Sequence, residues 1–159
     1  MSGHPFLLYA GITLAAFLSM EIVAWSTHKF VMHGPLWRLH KDHHQKKSTG
    51  FFEDNDFFFL LFALPGIAGL YLGMRHDFNY WFWIGLGITL YGFTYFLVHD
   101  IFIHQRFKWL RQTELRYFKA IRRAHKMHHK HLGREEGECF GMLWVPLKYF
   151  RDRPKSQVS

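Results

Sequence analysis

Cysteine is almost absent from this chain of 159 residues, Cys139 being the only one. A single thiol forms no intramolecular disulfide and builds no Cys-ligated zinc or iron–sulfur site, so any metal chemistry must use imidazole, and Cys139 reads as inert packing. Lysine and arginine are missing ahead of the first apolar run, and no small-residue cleavage site follows it. That excludes the usual signal-peptide pattern and makes the run a retained membrane helix. Long stretches also lack charge: residues 57–74 and 81–98 hold no charged side chain, and residues 6–25 hold only Glu21.

What is present is segregated. The chain carries 18 Phe and 6 Trp beside 13 His and a formal charge of +8. The mean hydropathy of −0.11 averages apolar runs against basic, histidine-dense stretches and so hides both. At about 1.5 Å per residue an 18-residue helix spans roughly 27 Å, close to the roughly 30 Å of a hydrocarbon core. The expected fold is therefore all-α, an integral-membrane helical bundle of three to four membrane helices. Pro65-Gly66 is expected to kink the second run. Residues 140–150 are apolar but too short to cross, and are expected to dip into the interface or pack on the bundle. Residues 107–130 read as an amphipathic interfacial helix, with Phe107, Leu110, Tyr117, Phe118, Ile121 and Ala124 on one side and a basic face on the other.

Charge counting orients the bundle. Of the 20 Lys and Arg, only Arg75 lies in the loop between the second and third runs; the others lie between the first and second runs or after Val98. The positive-inside rule then puts the N-terminus and the 75–80 loop outside and everything after Val98 in the cytoplasm. The whole is read as a single membrane domain over residues 1–150 with a basic tail at 151–159.

Ten of the histidines fall into four clusters: His28 and His33, then His40, His43 and His44, then His99 and His104, then His125, His128 and His129. The order is H-x4-H, H-x2-H-H, twice, and the orientation places every cluster at the cytoplasmic end of a helix. Residues three and four apart share a helix face, so each H-x2-H-H triplet is expected to aim at one point. A separation of five leaves two side chains about 140° apart in a straight α-helix. Convergence then requires the helix to end or widen; alternatively, the two histidines of a pair serve different ions. Ten imidazoles suffice for two metal ions with open positions. The boxes lack the glutamate of His-Glu-x-x-His, which argues against hydrolytic zinc, although nitrogen-rich coordination suits iron, copper, nickel and zinc alike. Asn55, Asp56, Glu21 and Asp100 are candidate partners that orient imidazoles. His4, His76 and His131 lie outside the boxes and are assigned to solvent or interface.

The segments HKFVMHG, HKDHH, GFFEDND, YFLVHDIFIHQRF, RAHKMHH and FGMLWVP together resemble the bacterial carotenoid 3-hydroxylases, members of the fatty acid hydroxylase superfamily. The likeness runs from about Glu21 to Lys148; residues 133–140 depart from the family pattern in their acidic residues and cysteine. The resemblance implies a non-haem di-iron enzyme of the inner membrane. It would use O2 and electrons from a ferredoxin to hydroxylate C3 of each β-ionone ring, giving β-cryptoxanthin and then zeaxanthin. Alternatives are another histidine-box oxygenase, such as a carotenoid ketolase, fatty acid hydroxylase or desaturase, or, from a different class, a membrane metal transporter with ligands near mid-bilayer.

Overall fold

A computed structural model describes residues 5–45, 52–106, 112–135 and 137–151; His4, Phe107, Leu110 and the tail beyond Arg151 fall outside them. The described residues form helices and connections with no strand. Helix α1 (Pro5–Ser26) runs on into a π-helical stretch, Thr27–Met32. After it come α2 (Trp37–His44), α3 (Asp56–Arg75) and α4 (Tyr80–Tyr95), the last extended by a second π-helical stretch, Phe96–Ile103. Helix α5 (Arg116–Lys130) and a 3₁₀ turn (Leu147–Phe150) complete the order. Three continuous helices are long and apolar enough to cross a bilayer: Pro5–Met32 with 28 residues, Asp56–Arg75 with 20 and Tyr80–Ile103 with 24. They contain the three apolar runs, and α3 passes through Pro65 as one helix.

The burial pattern is the inverse of a water-soluble protein. Leu14, Leu18 and Ile22 on α1 and Leu60, Leu64, Ile67 and Tyr71 on α3 recur at spacings of three and four and are each more than half exposed. Such continuous apolar stripes face lipid. The largest fully buried side chains are Phe102, His40 and His128. Because lipid tails are as apolar as leucine, the spanning helices associate by close backbone approach rather than by expelling water. A Cβ on Gly85 would lie 2.5 Å from Leu70 N and 2.7 Å from Gly69 C, so only glycine permits the α3–α4 contact.

The two ends of the bundle differ in kind. Tyr9 stacks on Trp83 with centroids 5.0 Å apart and meets Tyr80 at 6.2 Å, which sets the start of α1 beside the α3–α4 turn. All four histidine clusters lie at the opposite end.

One expectation needs adjustment, and one open alternative is decided. The amphipathic helix expected over 107–130 is not continuous: α5 starts at Arg116, residues 112–115 are non-helical, and Thr113 Oγ1 accepts the Leu115 N–H, a local bond that competes with helix formation; residues 107–111 lie outside the described residues. Within 140–150 only the last four residues are helical, and the segment packs on the bundle. Met142 sits with Phe102 and Ile121, and Tyr149 with Ala120 and Ala124 of α5.

Candidate metal centre

The local backbone explains how histidines five apart converge. His33 N–H donates to His28 O at 3.0 Å, and His104 N–H donates to His99 O at 2.9 Å. These i→i+5 bonds widen the turn, so residues five apart come onto one face. Both members of each pair therefore reach the same cluster, and the helix widens rather than ends.

Two nests of imidazoles result. One ring nitrogen each from His28, His33, His40, His44 and His128 lies within 4.8 Å of all the others, and the same holds for His43, His99, His104 and His125. The expectation that each triplet aims at one point is corrected: His43 leaves its α2 neighbours for the second nest, and His128 leaves its α5 neighbours for the first. Adjacent helical residues point about 100° apart, so His40 and His44, one turn apart, share a direction that His43 does not. His129 lies beside the second nest, its ring 4.5 Å from His125, 4.7 Å from His43 and 5.0 Å from His104, while also stacking on His44 at 4.5 Å. Its Nε2 is buried without a hydrogen-bond partner.

Seven of the ten rings have Nδ1 committed to an acceptor. His28 donates to Phe140 O (2.9 Å), His33 to Arg134 O (3.0 Å), His44 to His131 O (3.1 Å) and His128 to Glu138 O (2.8 Å). His40 donates to Asn55 Oδ1 (2.7 Å), His43 to Glu53 Oε2 (3.0 Å) and His99 to Asp100 Oδ2 (3.3 Å). Carbonyl and carboxylate oxygens accept, so these Nδ1 atoms donate, and in a neutral ring that leaves Nε2 as a lone pair. Yet Nε2 atoms face one another: His28 and His40 at 3.0 Å, His40 and His44 at 3.1 Å, His33 and His128 at 3.3 Å, His43 and His99 at 3.2 Å.

Lone pairs turned together at this distance repel unless a cation lies between them. For metal–nitrogen bonds of about 2.1 Å, adjacent donors of an octahedron are separated by about 3 Å, which matches. The donor set thus fits a nitrogen-ligated transition metal in each nest. Burial, reinforced by neighbouring imidazoles, holds His40 near a pKa of about 3, His44 near 4 and His129 near 3, so these rings are neutral and ready to bind metal at pH 7.

The candidate orienting residues divide. Asn55 and Asp100 touch imidazoles directly. Asp56 does not: its oxygens accept from Arg106, at 2.7 Å and 3.3 Å. Arg106 also pairs with Asp100 at 3.1 Å and Glu53 at 3.5 Å, which makes it the hub of a carboxylate cluster beside the second nest. The carboxylate of Glu21 accepts from the backbone N–H groups of Met142, Leu143 and Trp144 and from the Tyr91 hydroxyl. Sequence reasoning missed Glu53, which sits in the same GFFEDND segment as Asn55. It also missed the backbone carbonyls of residues 131–140, which carry no side-chain signal. His131, assigned to solvent or interface, contributes its carbonyl to His44, and His76 is the exposed residue that follows α3.

An apolar pocket of about 370 Å³ opens between α1, α3 and α4. It reaches from His28 and His99 along Phe58, Phe62 and Tyr95 to Gly66, about 15 Å up α3 from Asp56 at 1.5 Å per residue. It joins the nests to the lipid-facing part of the bundle. A transport path would need donors strung through mid-bilayer, whereas both nests lie at one end of the helices.

The sequence pattern of the fatty acid hydroxylase family matches residues 13–149. The chain is 36% identical to a β-carotene hydroxylase of Paracoccus sp. (strain PC1), over 85% of this chain and 83% of the other. It is 39% identical to the β-carotene hydroxylase of Pantoea ananas, over 85% and 76% respectively. It is also 34% identical to the chloroplastic β-carotene hydroxylase 1 of Capsicum annuum, over 85% of this chain and 43% of that longer one. No solved structure matches. A membrane helical bundle with two polyhistidine nests, matched along most of its length, belongs to the fatty acid hydroxylase family. Within that family these three relatives, two bacterial and one from a plant, bear the name of one activity, the hydroxylation of β-carotene.

Proposed function

We propose that the chain is a β-carotene 3-hydroxylase, hydroxylating C3 and C3′ of the two β-ionone rings to give β-cryptoxanthin and then zeaxanthin. The observation that carries this reading is the pocket. An apolar slot ends on His28 of the first nest and His99 of the second, where a bilayer-dissolved hydrocarbon would meet both metal positions at once. The first nest (His28, His33, His40, His44, His128) holds one iron and the second (His43, His99, His104, His125, with His129 as its fifth donor) holds another. Bound iron supplies the O2-dependent oxidation that an unactivated C–H bond requires and that side-chain acid–base chemistry lacks. Each hydroxylation takes up one O2, two electrons and two protons and releases one water.

The protein supplies position and dryness. Phe58, Phe62 and Phe96 wall the slot with rings that exclude water and lie along a polyene. The slot reaches only about half of a roughly 30 Å hydrocarbon core, so one end of the substrate enters while the rest stays in lipid, and the two rings are processed in separate visits. Residues 1–150 form the hydroxylase unit and 151–159 a basic tail. The nests face the cytoplasm from the inner membrane, where a ferredoxin delivers electrons, as the distribution of Lys and Arg supports.

The test is pigment analysis of bacteria that accumulate β-carotene and express this chain. Cryptoxanthin followed by zeaxanthin, both absent with a His128→Ala variant, is the expected result. A 4-keto product, or unchanged β-carotene with well-inserted protein, overturns the assignment.

A further inference from the structure

Glu21 is the one charged side chain in the first apolar run, and an unpaired carboxylate within a membrane helix is costly. Here every contact is specific. Oε1 accepts three consecutive backbone N–H groups, from Met142 at 2.9 Å, Leu143 at 2.8 Å and Trp144 at 2.9 Å, and Oε2 accepts from the Tyr91 hydroxyl at 2.7 Å. Successive N–H groups turned on one oxygen form a backbone nest for an anion, and the carboxylate fills it. Gly141 leads into that nest, and a Cβ there would lie 2.8 Å from Glu21 Oε1.

The segment so gripped is the one that braces the first nest of histidines. Glu138 O accepts from His128 Nδ1, and Phe140 O accepts from His28 Nδ1. Cys139 between them is held at φ 61°, a left-handed conformation that costs a non-glycine residue energy and persists only where its surroundings enforce it. Glu21 on α1 and His28 on the π-helical stretch that continues it are seven residues apart, about two turns, along one side of the continuous helix. That side therefore holds the segment at two points, by a carboxylate at 142–144 and by an imidazole at 140. Helix α5 holds it as well, through His128 and through the Tyr117 hydroxyl on Leu143 O at 2.7 Å.

We infer that Glu21 is a positioning residue for the first nest: it fixes the register of residues 138–144, and with it the two carbonyls that set the tautomer and aim of His28 and His128. This rests on the reading of that nest as a metal site. The second nest has its own hydrogen-bonded anchors, Glu53 and Asp100, and Glu21 approaches it through ring contacts, Tyr91 against Tyr95 and Tyr95 against His99, rather than by gripping its supports, so the larger effect of losing Glu21 falls on the first ion.

The experiment uses the full chain, purified in detergent and loaded with Fe(II) under anaerobic conditions. Bound iron per chain is measured together with the rate at which a chelator removes it. The wild-type protein holds two ions. Glu21→Leu retains one and releases the other about tenfold to a hundredfold faster, the usual scale for losing an outer hydrogen-bond partner. Glu21→Gln, whose amide oxygen still accepts the three N–H groups, stays close to wild type. Gly141→Ala leaves the carboxylate in place but crowds it, and speeds the same single phase; it decides the matter if Glu21→Leu does not survive purification. Wild-type release of both ions from Glu21→Leu and Gly141→Ala overturns the inference, as does equal loss of both ions, which makes Glu21 a general fold residue. A wild-type chain that binds no iron is a different result and defeats the metal reading itself.

Discussion

The two nests have similar donors but different supports. The first is braced by neutral oxygens: the carbonyls of His131, Arg134, Glu138 and Phe140 and the amide of Asn55. The second is braced at His43 and His99 by the carboxylates of Glu53 and Asp100, which are tied together through Arg106. An imidazole that donates to a carboxylate is a more basic ligand than one that donates to a carbonyl. The same side chain is thus tuned in two ways within one site, and an ion held in the second nest would be the better stabilised in its oxidised state.

The largest effect tests whether the nests are correctly divided. His40→Ala and His43→Ala, three residues apart in α2, both abolish turnover but remove different ions. His43→Ala leaves the same residual metal as His104→Ala, and His40→Ala the same as His33→Ala. Mössbauer spectra of the iron-loaded variants read this directly. If His40→Ala and His43→Ala give one spectrum, the exchange of His43 and His128 between nests is wrong.

A smaller effect tests the supports. Glu53→Gln weakens iron binding in the second nest by about tenfold to a hundredfold, and Asn55→Leu does the same in the first, each leaving the other ion in place. Only Glu53→Gln also raises the potential at which the affected ion is reduced, because only it removes a negative charge. Equal shifts in potential for the two variants would erase the electronic difference while leaving the geometric one.

The split between nests marks where sequence reasoning stops. The three apolar runs, the four boxes and the family were legible because each is a local pattern: 18 or so residues without charge, or imidazoles at fixed spacing. The H-x4-H pairs were legible as a problem, since five residues do not close an α-turn, and widening was one stated way out. That His43 and His128 change partners was not legible, because it depends on how α2 and α5 face each other across the site. Asn55 and Asp100 were picked out as side chains near boxes, whereas the carbonyls of residues 131–140 belong to a connection with no periodicity. The apolar spacing over 107–130 gives no sign of the break at residues 112–115, where the Thr113 hydroxyl accepts the Leu115 N–H locally.

The pocket touches both nests, so an obstruction within it must spare the metals. Ala63→Phe fills the wall between Phe62 and Gly66 and lowers hydroxylation roughly tenfold, the scale set by mismatched apolar contacts, with two ions still bound. Iron content and product formation on the same preparation separate the outcomes. Loss of an ion in this variant would mean that the pocket wall and the nests are one packing unit.

The smallest effect concerns how electrons reach the two ions. Helix α5 carries His128 of the first nest and His125 and His129 of the second on its inner side, while Lys126 and Lys130 are exposed. An acidic donor docked on that outer face would lie behind both nests at once. Its association is steered by charge, so ferredoxin-driven turnover falls severalfold between low and physiological ionic strength, where the screening length shrinks to about 8 Å. Lys126→Glu lowers the low-salt rate and flattens the salt response without changing iron content. Because the carboxylates make the second ion harder to reduce, the first nest's ion is reduced first at every salt concentration, as followed by freeze-quench Mössbauer spectroscopy. A turnover rate indifferent to salt removes the docking face, and simultaneous reduction of the two ions removes the inequality between nests.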